Sequence, residues 1–102
     1  MLFEVIVNSL IDFFKDLKKV DYNNKSRKII DLLKKDGLSI GDILSIKDDV
    51  YWEVFIDDYV AEEAEKEGEP FDVDDNAECD YVMELILEKD DELKREILKK
   101  LK

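Results

Sequence analysis

Residues 2–20 read LFEVIVNSLIDFFKDLKKV, and the reading of this stretch decides the fold. Leu2, Phe3, Ile6, Leu10, Phe13, Phe14 and Leu17 recur at the spacing of one broad helical face. Glu4, Asn8, Asp12, Lys15, Asp16 and Lys19 take the other face. Apolar residues at i, i+3, i+4 and i+7 are the mark of an amphipathic helix. The β-branched run Val5-Ile6-Val7 leaves a strand over residues 2–7 as the competing assignment.

The rest of the chain agrees with the helix. Glycine occurs three times and proline once, at Pro70, which leaves too few turn residues for a strand-and-turn fold. DYNNKS reads as a turn. A second helix is expected from Lys25 to Asp36, with Ile29, Ile30, Leu32 and Leu33 inward and Gly37 as its C-cap. Ser39 opens a short third helix, with Asp42 completing a capping box in place of the usual Glu.

A fourth helix, capped by Asp48 or Asp49, is expected to reach Glu67. Trp52, Phe55, Ile56 and Tyr59 share one of its faces, edged by Tyr51 and Val60, while Asp49, Glu53 and Asp57 line the opposite one. Beyond Val60 the apolar face receives Glu62, Glu63 and Lys66, so the last two turns are expected to project into water. GEPFDVDD reads as a loop pinned by Phe71 and Val73. A helix from Asn76 turns Val82, Leu85 and Ile86 inward. A last helix, capped by Asp90, carries the stripe Leu93, Ile97, Leu101. The expected fold is all-α: a compact single-domain bundle of five or six helices over residues 1–102.

The net charge is −12, and its distribution is uneven. Residues 48–80 hold fifteen Asp and Glu against one base, Lys66, a local charge of −14; the remainder of the chain carries +2. A block of that sign repels nucleic acid and anionic membrane and attracts basic partners. Cys79 is the one cysteine, which excludes an internal disulfide and favours a reducing, cytoplasmic setting. The apolar N-terminal run is broken by Glu4, Asp12 and Asp16, against a signal peptide or a membrane span.

No histidine is present, so His-based triads and His metal sites are excluded. Cys79 stands between Glu78 and Asp80, which should raise its pKa and blunt its nucleophilicity. Asp72, Asp74 and Asn76 fall at positions 1, 3 and 5 of a calcium loop. Ala77 then replaces the turn glycine, and Met83 the bidentate Glu, so no metal is assigned.

Glu62-x-x-Glu65 with Glu88-x-x-Asp91 resembles the paired carboxylates of the all-helical MazG-type pyrophosphohydrolases. That likeness implies magnesium and a nucleotide, yet no basic phosphate clamp accompanies it. SRKIIDLLKKDGLSIGDILSI resembles a helix-turn-helix over about twenty residues, but the acidic stretch that follows opposes direct contact with nucleic acid. Neither catalysis nor a cofactor is expected.

The acidic block itself remains. Carboxylates one helical turn apart, about 5.4 Å, can imitate a row of phosphates. In size, charge and lack of catalytic groups the sequence looks like small phage-encoded inhibitors of restriction or CRISPR enzymes, and like immunity proteins that cap toxic nucleases. That is a likeness of kind, carried by no shared motif. It implies a non-enzymatic protein that fills a basic, nucleic-acid-binding site on a partner. The expected contacts are Asp57, Asp58, Glu62, Glu63, Glu65, Asp72, Asp74, Asp75, Glu78 and Asp80, with Phe71 and Tyr81 as apolar anchors. The alternatives are a calcium- or magnesium-binding helical module or MazG-like pyrophosphohydrolase, a structural partner or homodimer acting through its apolar helix faces, and a solvated acidic surface that serves solubility alone.

Overall fold

Burial overrides local propensity at the N-terminus. In a computed structural model of the protein, Leu2–Lys19 is one helix, α1, with Val5, Ile6 and Val7 inside it and almost fully buried. A β-branched residue costs at most about 0.7 kcal/mol of helix propensity. Burying its side chain returns about 1.5–3 kcal/mol. Tertiary burial thus outweighs the small propensity cost, and the stretch is helix where the β-branched run also allowed a strand. The structure describes residues 2–19, 25–45, 50–69, 71, 72 and 74–101. The expected turn at residues 21–24, the caps at Asp48 and Asp49 and the pin at Val73 lie outside them, as do the side chains of Leu17, Lys19 and Tyr51.

The elements that follow are α2 (Lys25–Lys34), α3 (Ile40–Ser45), α4 (Val50–Val54), a π-helical segment (Phe55–Val60), α5 (Ala61–Lys66), α6 (Asn76–Glu88) and α7 (Asp90–Leu101). α4, the π segment and α5 run on without a break, since Val54, Val60 and Ala61 all keep right-handed helical dihedrals. The described residues therefore form six helical rods and no strand, the all-α bundle that the periodicity predicts. The Cα radius of gyration is 12.9 Å, close to the ~13 Å of a compact chain of this length.

α1 is the central rod. α2, the π segment, α5, α6 and α7 all pack on it. Ile11, Phe13 and Phe14 are buried beside Leu10, so α1 is covered on more sides than a surface helix would be. Phe13 meets the edge of Phe55 at 5.5 Å and of Tyr59 at 5.1 Å between ring centroids, which ties the π segment to α1. Ser9, fully buried, completes that seam. Its hydroxyl lies 2.6 Å from the Val5 carbonyl oxygen and 3.1 Å from that of Tyr59, so one O–H is shared between the two helices.

The π segment overturns one expectation. At 3.6 residues per turn, Val60 would sit about 140° and Ala64 about 180° from Phe55, and the chain after Val60 would leave the core. The i→i+5 bond from the Ala61 N–H to the Ile56 carbonyl adds one residue to the turn and retards the face by about 100°. Val60 and Ala64 are both buried as a result. α5 packs on α1 through Ala64; it does not project into water.

Caps fix the remaining junctions. Ser39 and Asp42 form the expected box: the Asp42 N–H donates to Ser39 Oγ at 3.0 Å, and the Ser39 N–H to Asp42 Oδ2 at 3.1 Å. Gly37 takes the positive φ (86°) that follows α2. Asp90 departs from its expected role as the cap of its own helix. Its Oδ1 accepts the Ile40 N–H at the start of α3, and its other oxygen pairs with Lys94 at 3.0 Å. Lys94 in turn donates to the Leu38 carbonyl, so α7 holds the α2–α3 connection from below. The helix-turn-helix likeness ends here. α3 has six residues, four of them buried, and serves as scaffold.

Candidate functional site

The acidic block is presented by the π segment, α5, the 67–75 connection and the start of α6. α5 ends in a Schellman turn. Gly68, at φ 74°, donates to the Glu65 carbonyl, and the Glu69 N–H donates to that of Ala64 at 2.9 Å. The connection is then knitted to α6 by its own carboxylates. Asp75 is the N-cap, accepting from the Ala77 N–H at 2.9 Å. Asp72 Oδ1 accepts from the Asp74 N–H, and Glu78 Oε2 accepts from the Asp72 N–H at 2.8 Å. Acids at the positive end of a helix dipole are favoured there.

These bonds change the reading of EPFDVDDNAECDY, residues 69–81. Asp72, Asp75 and Glu78 build the turn as well as charging it. Asp72 accepts from the Asp74 N–H and Asp75 from the Ala77 N–H, so two side-chain-to-backbone turns stand where the calcium-loop spacing falls. Among the described residues no three carboxylate or thiol groups converge where an ion could be held. Glu62, Glu65, Glu88 and Asp91, the MazG-like set, are all exposed, where walled-in carboxylates would be needed.

The expected contact residues divide by exposure. Asp57, Asp58, Glu62, Glu65, Asp72, Asp74, Asp75 and Asp80 are exposed. Glu63 is half-buried; it accepts from Asn8 Nδ2 at 3.3 Å and lies 3.9 Å from Lys66. Lys66, the lone base of the block, also meets Glu62 at 3.6 Å. Glu78 is half-buried. The two proposed anchors differ. Phe71 is half-buried against the core, while Tyr81 is 56% exposed.

Three grooves border residues of the acidic block. The first, of about 350 Å³, runs between α1, α5 and α6. It is lined by Leu2, Val5, Ala64, Ala77, Phe71 and Tyr81, with Glu69 and Glu78 at its rim, so it brings both anchors together. The second lies between α4, the π segment and α6, with Glu53 and Asp57 on one wall and Asn76, Cys79 and Met83 on the other. Burial, and after it the charges of Asp57, Asp80, Asp75 and Glu78, push the Cys79 thiol pKa up. The sequence neighbours alone missed Asp57. The third groove gathers Asp12, Asp16, Glu62 and Glu63 around Tyr59, with Lys15 and Lys66. Burial and a hydrogen bond to Asp16, with the charges of Asp16, Asp58 and Asp12, raise the Tyr59 hydroxyl to about 12.

Sequence reasoning missed the part of α1 in this surface. Asp12 and Asp16 extend the acidic face across the third groove, and Leu2 and Val5 form the floor of the first. No periodicity pairs residues that far apart in the chain. Among the described residues the large apolar side chains left exposed are Tyr81 and Leu87; the apolar faces of α1 are used inside the chain. No described helix is long and apolar enough to cross a membrane. The described residues thus define a class, an all-α bundle with exposed acids around three grooves. Compared with known protein families, curated proteins and solved structures, the chain matches none.

Proposed function

We infer that the protein is a non-enzymatic binding protein whose acidic face occupies a basic site on another protein. The partner class that fits is a nucleic-acid-binding enzyme, held in the manner of a nucleic-acid mimic or inhibitor. The observation that carries this reading is the exposure of Asp57, Asp58, Glu62, Glu65, Asp72, Asp74, Asp75 and Asp80 on adjoining elements, where the one base, Lys66, is already engaged by Glu62 and Glu63. A surface of that kind steers a cationic partner and loses affinity as salt rises. It repels nucleic acid and anionic lipid.

The test is capture from lysate of the native source at low salt, comparing the wild type with a variant neutralised at Asp57, Asp58, Glu65 and Asp80. These four are chosen because Asp72, Asp75 and Glu78 hold the turn, and changing them would confuse folding with binding. The expected result is a basic nucleic-acid-handling protein held by the wild type alone and released by added duplex DNA. Equal retention by both forms refutes the proposal.

A further inference from the structure

The groove between α1, α5 and α6 gives the acidic face a point of specificity. We propose that it is a socket for one apolar side chain of the partner, carried on a protein segment in which an aliphatic or aromatic residue is flanked by Lys or Arg. This rests on the acidic-face reading above and adds to it the chemistry of the segment recognised.

The depression exists because two residues on its walls are small. Ala64, buried on α5, and Ala77, exposed on the first turn of α6, stand where larger side chains would fill a helix seam. Leu2 and Val5 close the floor, and Phe71 lines a side. At about 350 Å³ the space is at the small end of ligand sites and matches one large side chain with part of a neighbour. Tyr81, 56% exposed at the edge, offers a rigid amphipathic surface of the kind enriched at protein contacts.

Charge decides between occupants. Glu69 and Glu78 stand at the rim, and Asp72, Asp74, Asp75 and Asp80 lie within the turn and helix start that bear it. A second copy docked face to face would set these acids against themselves, since a twofold contact uses the same patch on both sides. An anionic lipid surface is repelled for the same reason. A neutral apolar molecule would use the floor and gain nothing from the rim. A cationic segment with an apolar anchor uses both.

The experiment measures two short Lys- and Arg-rich peptides by fluorescence anisotropy at low salt, one with a central Phe and a twin with Gly in its place. The Phe peptide is expected to bind the wild type about tenfold more tightly than its twin, the scale of burying one large apolar side chain. Two variants remove that advantage: Tyr81→Ser takes away a wall and Ala77→Leu plugs the groove. Both positions are exposed, so both variants keep the fold, checked by circular dichroism. The twin's affinity is expected to stay the same in both. Equal binding of the two peptides to the wild type overturns the socket and leaves the acidic face standing. An advantage that survives both variants overturns it too. No binding of either peptide refutes the acidic-face reading and the socket with it. Light scattering is expected to give the 12.0 kDa monomer mass. A dimer dissolved by Tyr81→Ser would make the occupant a second copy and overturn the proposal.

Discussion

Two pairs in this protein have the same spelling in sequence, an acid followed four residues later by lysine. Asp90 and Lys94 lie 3.0 Å apart with side chains 18% and 13% exposed. Glu62 and Lys66 lie 3.6 Å apart with side chains 66% and 59% exposed. The first pair is built into the fold: Asp90 also accepts the Ile40 N–H, and Lys94 also donates to the Leu38 carbonyl. The second is surrounded by water, which screens it to a few tenths of a kcal/mol. Equal spacing on a helix therefore says nothing about worth. The tertiary partners set it, and they separate the pair built into the scaffold from the pair on the acidic surface.

The largest effect that can break this contrast concerns the helix carrying the exposed pair. Ala64→Lys puts a charge where the side chain is 3% exposed, against α1. The expected loss is about 4 kcal/mol of stability, from overpacking and from a desolvated ammonium. Chemical denaturation measures it. A loss below about 1 kcal/mol would mean that α5 stands free of α1, and the account of the π turn would fall with it. Next comes Asp90→Ala, expected to cost about 3 kcal/mol, because it leaves a half-buried lysine unpaired and an amide at the start of α3 without its acceptor. Lys66→Ala should cost less than about 0.5 kcal/mol. If the two losses were equal, the distinction between the pairs would be wrong.

Side-chain periodicity made most of the rods readable. The helix of Leu93, Ile97 and Leu101, the inward turn of Val82 and Ile86, and the Ser39–Asp42 box are local patterns, and the structure places them as read. The helix from Asn76 was readable for the same reason, though its cap, Asp75, lay hidden among five other acids in the same stretch. The π turn was not readable, because a change of backbone hydrogen-bond register leaves no mark in side-chain spacing until the burial of Val60 and Ala64 is known. Asp90 reads as the cap of its own helix because the amide it accepts from is fifty residues away. For the acidic surface, the charge was legible as composition. The groove was not: it joins Leu2 and Val5 to Phe71 and Tyr81 through packing alone.

A smaller effect sharpens the comparison at the seam between core and acidic face. Ser9→Ala removes the hydroxyl shared by Val5 and Tyr59, at an expected cost of about 1 kcal/mol. A larger loss would show that the π turn depends on that bond.

The pH dependence of the same seam is the finest probe. In the unfolded chain Tyr59 ionises near its ordinary value of 10.0; in the fold its hydroxyl is raised to about 12. The folded state thus holds a proton that the unfolded state releases, and stability falls as pH rises between those values. Below pH 10 both states are protonated and the contribution of Tyr59 is complete. Cys79, also raised, adds a fall of the same sign. The informative quantity is a difference between two variants. Tyr59→Phe keeps the ring contacts with Phe13 and Phe55 and removes the ionisation. Its stability should decline less steeply than the wild type's from pH 10 to 12, measured by urea denaturation at fixed ionic strength. Identical slopes would place the Tyr59 hydroxyl in water, away from Asp16, and would detach the third groove from the acidic face.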